Sequence, residues 1–240
     1  MGLIRPFDGI PKQGIRFLAD LAQQQNRDWF EARRETYQTQ LLEPLQRFVD
    51  ALGLRLQQTY PQLDFDPAAN GSGSLTRIYR DTRFSKDKSP YKSWMGMRFW
   101  HGPFGKKVGP GFFVSVSPEG VGLYAGVWHF DKPILEAWRE WVDRGYGMEE
   151  LARATADLIA RGVTGVGGLK YKRVPRGFDK DHPRAELLKH DGLYAILDPL
   201  PARTATSAQL VETCAERFEA VARLHAWLVE FYEQVRAGSR

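Results

Sequence analysis

Phe112-Phe113-Val114-Ser115-Val116-Ser117-Pro118-Glu119-Gly120-Val121-Gly122-Leu123-Tyr124-Ala125-Gly126-Val127-Trp128 carries two runs rich in aromatic and β-branched residues on either side of a Pro-Glu-Gly turn. Such runs around a turn signal predict an antiparallel hairpin. Leu75 to Tyr79 and Trp94 to Trp100 read as two further strands, so the middle of the chain predicts an antiparallel sheet. Asp66-Pro-Ala-Ala-Asn-Gly-Ser-Gly-Ser74, just before it, has the composition of a loop.

Both ends of the chain have helical spacing instead. Ile15, Leu18, Leu21 and Ala22 mark a first helix, and Asn26 caps a second that aligns Phe30, Tyr37, Leu41, Leu45, Phe48 and Leu52, with Pro44 bending or splitting it. Asp131 caps a helix opening at Lys132-Pro133 with the stripe Ile134, Leu135, Trp138 and Trp141, and another is predicted over Met148 to Ala160. The glycines at 162, 165, 167 and 168 end that helix and read as a turn. A short helix after Pro183, a strand at Leu193 to Leu197 and a long helix from Ser207 to Val235 complete the chain. Strands are grouped instead of alternating with helices, which predicts an α+β fold. We expect a single domain over 1–240, its mainly antiparallel central sheet packed by N- and C-terminal helices.

The composition of the 240 residues, 42% hydrophobic and 26% charged, is that of a soluble globular chain, and no apolar run approaches the roughly 20 residues needed to cross a bilayer. Met1-Gly-Leu-Ile-Arg-Pro-Phe-Asp-Gly9 lacks the basic start and apolar stretch of a signal peptide, so a cytoplasmic protein is expected. Cys214 is the sole cysteine, which excludes an internal disulfide and a multi-cysteine zinc site. The pI of ≈ 9.3 favours anionic partners, but a net charge of +5 does not by itself choose nucleic acid.

Charge is concentrated in Arg77-Ile-Tyr-Arg-Asp-Thr-Arg-Phe-Ser-Lys-Asp-Lys-Ser-Pro-Tyr-Lys92, where six basic residues face two acidic ones. Arg80 and Arg83 offer planar forks for carboxylate or phosphate, and Lys86, Lys88 and Lys92 are compact point charges, with Tyr91 adding a hydroxyl. Asp81 and Asp87 can orient these cations toward an anion, or pair with the arginines in a purely internal network. A second block, Lys170 to Lys189, has seven basic residues against three acidic ones, and Gly177, Arg176 and Lys180 can complete an anion pocket. Lys170, Lys172 and Lys189 read as a solvated basic face. Asp181 either belongs to a ligand cluster or caps the following helix, and His182 is either an acid–base group or a local packing residue. The histidines show no metal-ligand spacing, and phosphate-loop, His-Glu-x-x-His and Gly-x-Ser-x-Gly patterns are missing, so neither metal nor cofactor is expected.

Arg80-Asp-Thr-Arg-Phe-Ser-Lys-Asp-Lys-Ser-Pro-Tyr-Lys92 resembles the signature of the domain-of-unknown-function family catalogued under the number 2461. Asn26-Arg-Asp-Trp-Phe-Glu-Ala-Arg33 with Tyr37 and Pro44 is similar to that family's N-terminal helix, and Pro175-Arg-Gly-Phe-Asp-Lys-Asp-His-Pro183 to its late motif. Trp128-His-Phe-Asp131 departs from the pattern, where a proline more often follows the tryptophan, so no role carries over to His129. The resemblance implies one α+β domain and supplies no activity, substrate or cofactor. From the residues, the leading expectation is binding of an anionic, phosphorylated or similar small molecule through Arg80, Arg83, Lys86, Lys88, Tyr91, Lys92, Arg176 and Lys180. The alternatives are a hydrolase or transferase acting on an anionic substrate, with Asp81 or His182 moving the proton, and a nucleic-acid-binding protein.

Overall fold

The structure is a computed structural model and describes residues 6–156 and 158–238. Met1 to Arg5, part of the segment read for a leader, lie outside the described residues. The fold is α+β, as expected. Its helices are α1 (Lys12–Gln23), α2 (Arg27–Glu31), α3 (Arg34–Thr36), α4 (Glu43–Gln57), α5 (Lys132–Arg144), α6 (Met148–Ala156), α7 (Ala185–Leu188), α8 (Ala202–Ala205), α9 (Leu210–Glu219) and α10 (Ala222–Gly238). The strands β1 (Leu63–Asp64), β2 (Met95–His101), β3 (Gly111–Val116), β4 (Gly120–Val127), β5 (Val163–Leu169) and β6 (His190–Pro201) form one antiparallel sheet in the order β1-β2-β3-β4-β6-β5.

The chain divides into two compact units. The first takes in the chain up to Phe99 with Phe113–Leu123 and Pro199–Glu216, and the second takes in Trp100–Phe112, Tyr124–Asp198 and the chain from Arg217. In the first unit, Phe17, Leu18 and Leu21 of α1 are buried, and Gly14 sits where a Cβ would lie 2.0 Å from the carbonyl oxygen of Gln40. Asn26 caps α2 by accepting the Trp29 amide at 2.8 Å. The predicted single helix beyond it is broken into α2, α3, a π-helical stretch Tyr37–Leu42 and α4. The π-helical stretch runs into α4 without leaving helical φ and ψ at Leu42 and Glu43, the Glu43 amide reaching five residues back to the Gln38 carbonyl, and Pro44, which lacks an amide proton, follows directly on this wider turn. Of the expected face, Phe30, Leu41, Leu45, Phe48 and Leu52 are buried and Tyr37 is half-buried.

The central hairpin is β3 and β4, closed by the Ser117 amide on the Gly120 carbonyl at 2.9 Å. Leu75 to Tyr79 does not form the expected strand. Its pairing is split between isolated bridges, Leu75 with Met97 and Tyr79 with Tyr91, because the backbone leaves β2 and turns back on the segment after Pro90.

In the second unit, Asp131 caps α5 through the Ile134 amide at 3.3 Å, and Gly145 ends it in the left-handed conformation. Trp138, Phe130 and Phe231 pack in its core. Gly162 ends the preceding helical turn in the left-handed conformation, as expected, but Gly165, Gly167 and Gly168 lie in a strand and not in the expected turn: β5 pairs antiparallel with β6, Val166 opposite Ala195 and Gly167 opposite Tyr194. Glycine is required here because a Cβ on Gly167 would lie 2.3 Å from the Tyr194 ring, and one on Gly168, at φ +112, would lie 2.0 Å from the Gly192 carbonyl oxygen.

The expected terminal helix is divided into α9 and α10. Between them the amides of Ala220 and Val221 bond back three residues, to the carbonyls of Arg217 and Phe218. Cys214 in α9 is buried, and burial pushes its thiol pKa far above the ordinary range, so it is a packing residue at neutral pH.

Candidate functional site

The first charged block belongs to the first unit. Its neck is closed by the Arg80 amide on the Pro90 carbonyl at 2.9 Å and the Lys92 amide on the Ile78 carbonyl at 2.8 Å. Tyr91 is buried there, stacked on Phe30 with ring centres 4.6 Å apart, and its amide donates to the Gln25 side chain at 3.1 Å. Between the two ends, the carboxylates are engaged within the loop. Asp81 accepts both Nε and Nη2 of Arg83, at 2.9 and 2.7 Å, and Asp87 accepts the Ser89 amide at 2.9 Å and the Arg80 guanidinium. Lys88 donates to the Thr82 carbonyl at 2.9 Å and Lys92 to the Arg77 carbonyl at 2.7 Å.

These contacts set the electrostatics. Hydrogen bonds from Arg83 hold Asp81 at about 2, and those from Ser89, then Arg80, hold Asp87 at about 2. A carboxylate held ionised this firmly is a weak base at neutral pH, so Asp81 is placed to orient Arg83 and not to carry a proton. A cleft of about 510 Å³ opens beside the loop, lined by Arg80 and Lys92 but also by Asp81 and Asp87. Burial, then the neighbouring Arg80, lower the Lys92 pKa. Lys86 is exposed and has no partner among the described residues, and Phe84 at the loop tip is 94% exposed.

The second block belongs to the second unit. The amides of Lys170 and Tyr171 both reach the Lys189 carbonyl, at 3.1 and 3.0 Å, which closes the neck of this loop. Gly177 adopts φ +94 at its turn. A concave surface of about 460 Å³ is lined by Lys172, Arg173, Arg176, Lys180 and Lys189, with Pro175 and Phe178 as apolar wall and Glu186 as its one carboxylate. Glu186 is paired with Lys189, and Lys180 lies 3.6 Å from Asp181. Lys172, Arg173 and Arg176 have no partner among the described residues. Lys172 and Lys189, expected on a plain solvated face, therefore share the hollow with Arg176 and Lys180.

His182 is engaged locally. Its Nδ1 accepts the Arg184 amide at 3.0 Å and its Nε2 lies 3.3 Å from the Asp143 carbonyl, so neither ring nitrogen is left for a substrate proton. Asp181 does not cap α7, whose first turn has no side-chain cap. Among the described residues no three His, Cys, Asp or Glu side chains converge as metal ligands do.

One polar cluster of the second unit was not visible in the sequence. The Asp191 carboxylate, 8% exposed, accepts Lys170 Nζ and lies 3.1 Å from His129 Nδ1. Its hydrogen bond and charge raise the Lys170 pKa. Beside it Trp128 stacks on Tyr194, ring centres 4.4 Å apart, while staying 62% exposed. Residues 129, 170 and 191 follow β4, follow β5 and lie at the start of β6, so no local spacing joins them. The one available signal was an acid heading an apolar strand.

The family model described as "Conserved hypothetical protein (DUF2461)" matches residues 13–227, a span that includes both charged blocks. No curated protein and no solved structure matches the chain. No helix among the described residues is long and apolar enough to cross a membrane.

Proposed function

The chain belongs to the uncharacterised DUF2461 family, and from that premise we propose a cytoplasmic protein that binds an anionic, phosphate-bearing small molecule in the hollow lined by Lys172, Arg173, Arg176, Lys180 and Lys189. The observation that carries this reading is the convergence of Lys172, Arg173 and Arg176, none with a partner among the described residues, on one concave surface. Five cations around a single carboxylate, Glu186, leave a net positive charge that favours an anion between them, and arginine forks match phosphate geometry. The volume, about 460 Å³, suits a metabolite-sized ligand, and Pro175 and Phe178 offer apolar contact to its body.

The first loop has a supporting role in this reading. Its arginines are balanced by Asp81 and Asp87, and Lys88 and Lys92 are tied to backbone carbonyls, so its cations mainly hold the loop's own shape. Calorimetric titration with phenyl phosphate tests the assignment. Arg176→Glu should weaken binding about tenfold or more, since a charge-assisted hydrogen bond is replaced by repulsion, while Arg83→Glu should leave it unchanged. Equal loss in both variants would sink it. Steeply salt-dependent binding of a single-stranded oligonucleotide, with none of phenyl phosphate, would replace it by nucleic-acid recognition.

A further inference from the structure

A second hollow in the same unit has the opposite character. Between α5 and α6 the chain turns through Gly145-Tyr146-Gly147, both glycines at positive φ, +82 and +62, and this turn presents Tyr146 half-exposed beside Trp141 of α5. The Trp141 ring stands at 89° to Tyr146, at 86° to Trp227 and at 76° to Phe231, with centres 6.3, 6.2 and 4.9 Å away. Trp227 is fixed by its indole N–H on the Gly147 carbonyl at 2.9 Å. These rings line a hollow of about 530 Å³, and Glu150 of α6 and Glu230 of α10 line it too.

We infer that this hollow binds a quaternary ammonium group. Tyr146, half-exposed, and Trp141, partly exposed, give the hollow its aromatic surface, with Trp227 and Phe231 stacked at 10° and buried behind it, and the negative quadrupole of a ring face attracts a cation that carries methyl groups in place of hydrogen-bond donors. Glu150 and Glu230 add net negative charge. Glu230 accepts only the neutral Gln234 amide, at 3.0 Å, among its side-chain contacts, and Arg153 stands 4.0 Å from Glu150 while it bonds Glu149 at 3.2 Å. Arg144, at the end of α5, is engaged by the Tyr146 hydroxyl and by Glu140 at 3.1 Å. A simple ammonium would need hydrogen-bond acceptors on several sides, whereas a trimethylammonium needs aromatic surface and nearby negative charge, which is what these walls supply. The site is independent of the cationic hollow.

Calorimetry with choline and its neutral isostere 3,3-dimethyl-1-butanol separates cation recognition from simple apolar fit. Choline should bind about fivefold tighter or better, and Tyr146→Leu and the double variant Glu150→Gln, Glu230→Gln should each remove about threefold or more of choline affinity without moving the neutral isostere. All three residues are exposed, so these variants keep the fold. Equal binding of choline and the isostere overturns the inference, as does choline affinity that neither variant changes, or no choline binding at all. Choline binding without sedimentation on phosphatidylcholine vesicles identifies a free amine as the source. Tyr146-dependent sedimentation with those vesicles identifies a lipid headgroup.

Discussion

Replacing Gly168 by alanine, with Gly165→Ala as its control, tests whether the glycine cluster is the paired strand β5. At Gly168 the new Cβ would sit 2.0 Å from the Gly192 carbonyl oxygen and 2.4 Å from its carbon, both backbone atoms of β6 that move only with the strand. The residue also holds φ +112, a conformation that costs a side chain about 1–3 kcal/mol. Relieving the overlap by displacing the strand adds about 1–3 kcal/mol. Together these predict a loss of about 2–6 kcal/mol, or about 4–24 °C in Tm for a chain of this size. At Gly165 a Cβ meets nothing within 4 Å and φ is ordinary, so the change should stay within about 0.5 kcal/mol. Thermal and urea unfolding followed by circular dichroism gives both numbers. Equal effects at the two positions would refute the pairing of β5 with β6 described here.

Burial, then His101, push His225 down to about 3. The unfolded histidine takes up a proton near pH 6.5 while the folded one does not, so stability should fall as pH drops from about 6.5 toward 3, by up to about 2 kcal/mol at pH 5; urea unfolding of His225→Phe should show a shallower fall, and an identical pH slope would count against a buried neutral ring. Asp191→Asn should bring the Lys170 ammonium down toward ordinary lysine behaviour, read by ¹³Cε NMR titration, and an unmoved titration would mean that the two side chains do not meet. Tyr91→Ala should cost about 3–5 kcal/mol because it removes a buried ring stacked on Phe30. Arg83→Ala, on a guanidinium side chain 76% exposed, should leave stability almost unchanged, and the reverse order in urea unfolding would show that the ion pairs and not the core hold the loop.

Long apolar periodicity made α1, α4, α5 and the β3–β4 hairpin legible, because burial of one face leaves a pattern whatever the partner is. Caps at Asn26 and Asp131 were equally readable, since each side chain serves an amide three residues on. The strand β5 was not. Glycine leaves no alternation to detect, and the need for it comes from Tyr194 and Gly192, residues remote in sequence. The α9–α10 break carries no glycine or proline and so left no mark. At the site, composition located both cationic loops but could not tell which cations were satisfied. That depended on Asp81 and Asp87 folding back on their neighbours, whereas Asp179 turns to its own backbone at the Asp181 amide, 2.9 Å away, and leaves Arg176 unpaired among the described residues. The Asp191 cluster needed three strand ends to be aligned, which only the sheet provides.

The central claim is that an anion is held by the second loop and not by the first. Titration of the ¹⁵N-labelled chain with phenyl phosphate, followed by amide chemical shifts, tests it directly. Saturable shifts over residues 172–180 and at Lys189, with residues 80–92 unmoved, are predicted. Shifts confined to residues 80–92, or no saturable shift in either loop, would contradict it.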